Sequence, residues 1–252
     1  MSKSKIAVLI HLFYTDLWYE IESYLKNLED FEYDLYINIV DGYYNVEIVD
    51  KILKFKHNVK ILKSPNKGVD VGGFLYLYNS LDSSYDLILK IHTKKSIGLP
   101  NKPSDYVRVY GPQLAKEKGN QWFHKLMKGV LRSKNQVKDI IELLENETPF
   151  AMAGLDCETY IGPNLKQVKE LGDKFNIPTD FNGDRIKNAS FVGGTIFWVK
   201  NDILKKYLTK DNIKYLLELL PEGYQNEPSY NHALERLFGM MVYNENKKII
   251  NL

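Results

Sequence analysis

A single cysteine, Cys157, stands among 252 residues. One thiol excludes an internal disulfide and a multi-cysteine metal site, and it fits a reducing compartment. A lone cysteine reads as a small core residue, not a nucleophile. Long hydrophobic runs are also missing. The apolar stretch after the basic start is short and is broken by His11, Asp16 and Glu20. Neither a signal peptide nor a spanning helix is expected. The expected location is cytoplasmic, with peripheral contact at the inner face of the membrane left open. Charge of one sign is scarce too: 34 Lys and Arg against 32 Asp and Glu leave a net charge of +2. That argues against nucleic acid as a partner. No internal repeat, linker or low-complexity tract divides the chain, so one domain is expected.

What is present is a strand–helix alternation. Ile6 to Leu12 is a first apolar strand, followed after Asp16, a candidate cap, by helical spacing at Leu17, Ile21, Leu25 and Leu28. Tyr33–Val40 reads as a strand, 46–55 as a helix and 59–62 as a short strand. A loop rich in glycine then precedes a helix from Phe74, and Leu87–Ile91 forms a fourth strand. This order predicts an α/β fold with a mostly parallel central sheet flanked by helices. Residues 97–120 read as an excursion over the active face, with helices at about 121–131 and 134–145. Phe150–Leu155 and Phe191–Lys200 are further strands, with loop and short helix between them. Asp202 reads as the cap of a helix to Leu208, and Asp211 to Leu220 as another. Ser229–Tyr243 is the closing helix, with Leu234, Leu237, Phe238 and Met241 inward.

The stretch Tyr85–Ser96 carries the most chemistry. Side chains two apart in an extended chain share a face, so Lys90, His92 and Lys94 would project together, with Lys95 beside them. Ligands of open α/β sheets bind beyond the carboxyl ends of the strands. A cationic comb there suits a diphosphate, and a solvated basic loop is the plain alternative. Asp-x-Asp is absent from this strand end. Lysines repel hard cations, so no divalent metal and no cofactor is expected.

Asn66-Lys67-Gly68-Val69-Asp70-Val71-Gly72-Gly73 has the flexibility to approach an anion at a helix start. It lacks both the dinucleotide and the P-loop spacing, and a glycine-rich turn of purely structural use remains open. His11 and Tyr14 lie at the end of strand one, bordering the same cleft. Glu227, in the loop before the last helix, is placed as a general base could be. His232 and Glu235 follow on that helix, one turn apart.

Five segments in this order resemble the rhamnan synthesis protein F family of bacterial cell-surface polysaccharide glycosyltransferases. They are 11–28, 65–75 (PNKGVDVGGFL), 85–96 (YDLILKIHTKKS), 193–198 (GGTIFW) and 232–239 (HALERLFG). The resemblance implies a GT-A-like single domain spanning 1–252, with nucleotide-sugar binding in about 1–96 and acceptor binding and catalysis in about 97–252. It implies transfer of L-rhamnose or another deoxyhexose or furanose. The donor would be dTDP-rhamnose or a UDP-sugar, and the acceptor a glycan or lipid-linked glycan. On this reading His11, Tyr14, Asn66, Gly68, Asp70, Gly72, Gly73, Lys90, Thr93 and Lys95 hold the donor. His92 and Lys94 stabilise the leaving diphosphate and Glu227 is the base. Trp198, His232 and Glu235 meet the acceptor. With no dedicated nucleophile, an inverting, metal-independent reaction is expected. The rival reading is a non-catalytic nucleotide-binding or scaffold subunit of a polysaccharide assembly complex. A phosphatase or nucleotidase would need a metal cluster or nucleophile that the chain does not offer.

Overall fold

A computed structural model describes residues 4–82, 84–95, 112–146, 148–155, 157–158, 161–179 and 190–252. Most of the expected excursion at 97–120, and parts of 156–190, lie outside the described residues.

Strand β1 (Ile6–His11) is buried along its whole length, as is β4 (Leu87–His92). Continuous apolar runs of this kind belong to parallel strands covered on both faces. Between them in sequence come α1 (Trp18–Leu25), β2 (Tyr33–Val40), α2 (Val46–Phe55), β3 (Val59–Ser64) and α3 (Val69–Asn79). The second half adds α4 (Pro112–Leu131), α5 (Lys134–Glu145), β5 (Phe150–Gly154), the short β6 (Cys157–Glu158) and α6 (Leu165–Phe175). It closes with β7 (Phe191–Val192), β8 (Phe197–Lys200), α7 (Asn201–Tyr207), α8 (Lys210–Leu219), α9 (Tyr230–Asn244) and β9 (Lys248–Asn251).

Among the described residues, seven strands form one sheet in the order β3-β2-β1-β4-β8-β5-β9, and β6 pairs with β7 apart from it. Only β8 runs against its neighbours. This is the α/β architecture with a mostly parallel sheet that the alternation predicts, and it is compatible with the GT-A-like fold that the resemblance implies. Strands from both halves share the sheet, because β8 inserts between β4 and β5.

Register explains where a ligand site falls. His11 pairs with Asn38 on β2 and with His92 on β4, so β1 and β4 finish at one level while β2 runs two residues further. The antiparallel β8 pairs Phe197 with Lys90, so the turn that precedes β8 lands on the same edge.

Two cores lie on opposite faces. One gathers α3, α6 and α9, with Phe74, Phe197 and Phe238 in mutual contact at 5.6–6.4 Å between ring centroids. The other gathers α1, α2, α4 and α5 around Trp18 and Trp198. Helix α3 is apolar nearly all round, with Val71, Phe74, Leu75 and Leu77 buried. It is therefore a covered helix, not a surface one. Each such side chain contributes about 1.5–3 kcal/mol of burial.

Several expectations need correction. Helix α3 begins at Val69, so Gly72 and Gly73 lie inside it and not in a loop before it. Asp16 sits within a 3-10 turn at Thr15–Leu17 and makes no side-chain cap. Asp202 lies inside α7, which starts at Asn201. The helix expected from 121 starts at Pro112. The strand expected over 191–200 is broken, because Gly194 and Thr195 take left-handed φ values of 76° and 53°. β9, unforeseen, adds a parallel edge strand to β5, whereas the short helix expected between Phe150–Leu155 and Phe191–Lys200 is present as α6.

Candidate active site

A cleft of about 300 Å³ opens at the shared carboxyl edge of β1 and β4. Its walls come from four places: the β1 end (His11, Phe13, Tyr14), the start of α3 (Val69 to Val71, with Asn66), the β4 end (His92 to Lys94), and the first turns of α9. Trp122 from α4, the Gly194–Thr195 turn and Tyr224 complete it.

Beneath the cleft sits a buried charge cluster. Lys90 is 1% exposed, and its Nζ donates to Asp70 Oδ2 at 2.9 Å, to the Thr195 carbonyl at 2.9 Å and to Thr195 Oγ1 at 2.6 Å. The Thr195 hydroxyl in turn donates to Asp70 Oδ2 at 2.6 Å. Burial alone would push the Asp70 carboxyl up. The charges of Lys90 and His92 and the Thr195 hydroxyl outweigh it and hold the group well below the usual carboxylate range. Burial lowers the Lys90 ammonium, partly offset by Asp70. His92 is buried, which lowers its pKa, and its Nε2–H donates to the Gly194 carbonyl at 2.6 Å. A non-glycine residue with positive φ is strained. Thr195 is held in that conformation by Lys90 and Asp70, which bond both its carbonyl and its hydroxyl.

At the β1 end, His11 donates from Nδ1 to Asn38 Oδ1 at 2.6 Å, and Asn38 Nδ2 donates to Ser64 Oγ. Burial lowers the His11 pKa to about 4, so the ring is neutral. A Cβ on Gly73 would stand 2.0 Å from His11 Nδ1, and one on Gly72 would stand 1.7 Å from the Lys67 carbonyl. Glycine is needed here so that α3 can approach β1 and its own lead-in. Thr93 Oγ1 accepts the backbone N–H groups of Phe13 and Tyr14, both at 3.0 Å, and so shapes this wall.

The α9 wall starts from Ser229, whose side chain caps the helix at the His232 N–H and also bonds His232 Nδ1 at 2.8 Å. Burial lowers the His232 pKa. One turn on, Glu235 Oε1 accepts the Gly194 N–H at 2.7 Å, which ties α9 to the turn before β8. Burial raises the Glu235 pKa even though Arg236 lies 2.9 Å away. Asn231 lines the same wall. It is 4% exposed, and neither its Oδ1 nor its Nδ2 has a partner among the described residues. Asn66 Oδ1, also at the cleft, has no partner among the described residues either.

The expected cationic comb is thus divided. Lys90 shares a face with His92, as alternation requires, but that face lies under α3, and the ammonium is used inside the fold. Lys95 pairs with Asp16 outside the cleft. Lys94 alone reaches the cleft as a cation with no carboxylate ion pair among the described residues, its Nζ 4.2 Å from the centroid of the Trp122 ring. Burial lowers its pKa.

Other expected contacts fall outside the lining. Gly68 is buried at the cap of α3 against Leu220, and Gly72 and Gly73 serve packing. Glu227 pairs with Arg236 Nη2 at 2.8 Å and does not line the cleft. Trp198 is 0% exposed in the α4 core and donates from Nε1 to the Val130 carbonyl, so it has no face to give a sugar. His11, Tyr14, Asn66, Asp70, His92, Thr93, Lys94, His232 and Glu235 do meet there. Trp122, Thr195, Tyr224 and Asn231 were not foreseen as site residues. Asn231 stands next to His232 at the head of a helix, and Thr195 lies in the GGTIFW segment; these were the signals the sequence offered.

Among the described residues no three acidic, imidazole or thiol groups are placed to hold a metal ion. Likewise, no helix among them is long and apolar enough to cross a membrane.

The family model of rhamnan synthesis protein F matches residues 1–247. Among curated proteins, the uncharacterized protein WxcX of Xanthomonas campestris pv. campestris is 25% identical over 188 residues, 73% of this chain. Its counterpart in strain B100 is 24% identical over 190 residues. The chain spans about a quarter (24%) of the length of these relatives.

Proposed function

The chain belongs to the rhamnan synthesis protein F family, a family of polysaccharide synthesis, and we propose that it acts there as an inverting, metal-independent glycosyltransferase. The sugar, L-rhamnose or another deoxyhexose or furanose, leaves a dTDP or UDP donor and joins a glycan or lipid-linked glycan. The observation that carries the reading is Lys94: a cation without an ion pair among the described residues, at the strand edge where such folds bind ligands, facing a buried carboxylate.

In this reaction the bond from the anomeric carbon to the diphosphate oxygen breaks, and the diphosphate leaves with the electron pair. Lys94 meets the growing negative charge from a position already fixed against Trp122. The free N–H groups at the start of α3 add a favourable dipole, and Lys90 neutralises the Asp70 carboxylate that would otherwise oppose it. The acceptor hydroxyl attacks the opposite face of the sugar and its proton passes to Glu235. That carboxyl suits the task better than Glu227, because it lines the cleft and burial has raised its proton affinity. Phe13, Tyr14 and Tyr43, clustered at the β1 end, suit the nucleobase.

The test is release of nucleoside diphosphate from dTDP-L-rhamnose and from UDP-sugars by the full chain, with and without a glycan acceptor. Turnover is expected with one donor, with slow hydrolysis when acceptor is absent. Glu235→Gln should lower it by about 10²–10⁴-fold while the donor still binds. Tight donor binding with no release under any condition would favour a scaffold subunit instead.

A further inference from the structure

Asn231 is an anomaly of the cleft. A buried amide normally satisfies its donors and acceptors, because leaving them unpaired costs free energy. Here neither end of the amide has a partner among the described residues, although the side chain is 4% exposed and lines the cleft. Its position is not that of a spare capping group, since Ser229 already caps α9. Asn231 and Glu235 are four residues apart on that helix, so they share one face. Both line the cleft, and Glu235 is the carboxyl that takes the acceptor proton in the proposed reaction. Sharing a face with Glu235 puts whatever meets Asn231 at the reacting end of the ligand.

We propose that Asn231 recognises the transferred sugar, its amide donating to one ring hydroxyl and accepting from a neighbouring one. The inference rests on the glycosyltransferase reading and adds the residue that selects the sugar. A carboxamide offers a donor and an acceptor side by side, and adjacent hydroxyls offer the complementary pair. A site built to bond a hydroxyl discriminates strongly against a ligand lacking it, because its own polar groups are then stranded.

Calorimetric titration of the full chain with dTDP-L-rhamnose against dTDP, and with UDP-galactofuranose against UDP, tests this. The wild type should bind one nucleotide sugar more tightly than its own nucleoside diphosphate. Asn231→Leu should reduce that preference roughly tenfold or more and leave the nucleoside diphosphate affinity unchanged. The ligand-free Leu variant should melt no lower than the wild type, since a stranded amide has been removed. Asn231→Ala provides the same comparison if the Leu variant does not fold. An undiminished preference in the variant, or an equal loss for sugar and diphosphate ligands, would overturn the assignment while the transferase reading stands. A wild type that binds none of the four would sink the transferase reading itself.

Discussion

Lys90 and Lys94 stand four residues apart at one strand end, and they do opposite work. Lys90 is inside β4, under α3, and its ammonium is consumed by Asp70 and Thr195. Lys94 is two residues past the strand, lies against Trp122 of α4 and lines the cleft, with no carboxylate ion pair among the described residues. The cleft thus has a floor that holds shape and a rim that is free to meet a ligand. What separates them is whether a carboxylate of the covering element takes up the ammonium. Charge in a motif is therefore no guide to its use until its cover is known.

The contrast is sharpest if the floor is broken. Lys90→Met should cost about 3–5 kcal/mol, because it leaves the Asp70 carboxylate partly buried without its cation. For a chain of this size that corresponds to a melting temperature lower by about 10 °C. The double variant Lys90→Met with Asp70→Leu should recover much of the loss. A single variant as stable as the wild type would mean that the pair is not the floor's support.

Acid tests the floor next. In the unfolded chain a histidine takes up its proton near 6.5, whereas His11 in the fold does so only at about 4. The unfolded state then binds more protons between those values, so stability falls as pH drops from 6.5 towards 4, by about 3 kcal/mol at the lower end. His92 and His232, both lowered by burial, act with the same sign. Urea unfolding at pH 7 and pH 4.5 measures the loss, and His11→Gln should flatten it. A wild type equally stable at both values would contradict the buried, neutral ring.

The rim should behave differently. Lys94→Ala is expected to lower turnover about a hundredfold, or about 2.7 kcal/mol in barrier, with little change in melting temperature. Loss of fold in place of loss of rate would erase the distinction between the two lysines.

Much of this fold is legible in the residues. β1 is a nearly continuous apolar run, β2 alternates, β4 is apolar up to Lys90, and α9 announces itself by Ser229 and by the spacing of Leu234, Leu237, Phe238 and Met241. The break before β8 was hidden, since FVGGTIFWVK reads as one strand until Lys90 and Asp70 are seen to hold Thr195 in a left-handed turn. β9 was hidden because four residues give too little periodicity to read. The site was half legible. Alternation correctly put Lys90 and His92 on one face but could not say that α3 lies over it. Asp70 and Thr195, partners of Lys90 at 20 and 105 residues' distance, meet it only through tertiary packing. Likewise Trp198 looked available because GGTIFW is distinctive, but its neighbour Phe197 takes one core and the indole must take the other.

The most direct test of the account is a crystal structure of the protein with dTDP-L-rhamnose or a UDP-sugar bound. The account predicts the diphosphate within hydrogen-bond reach of Lys94 Nζ, with Lys90 still bonded to Asp70. A diphosphate bound to Lys90, or held away from the β4 edge altogether, would contradict it.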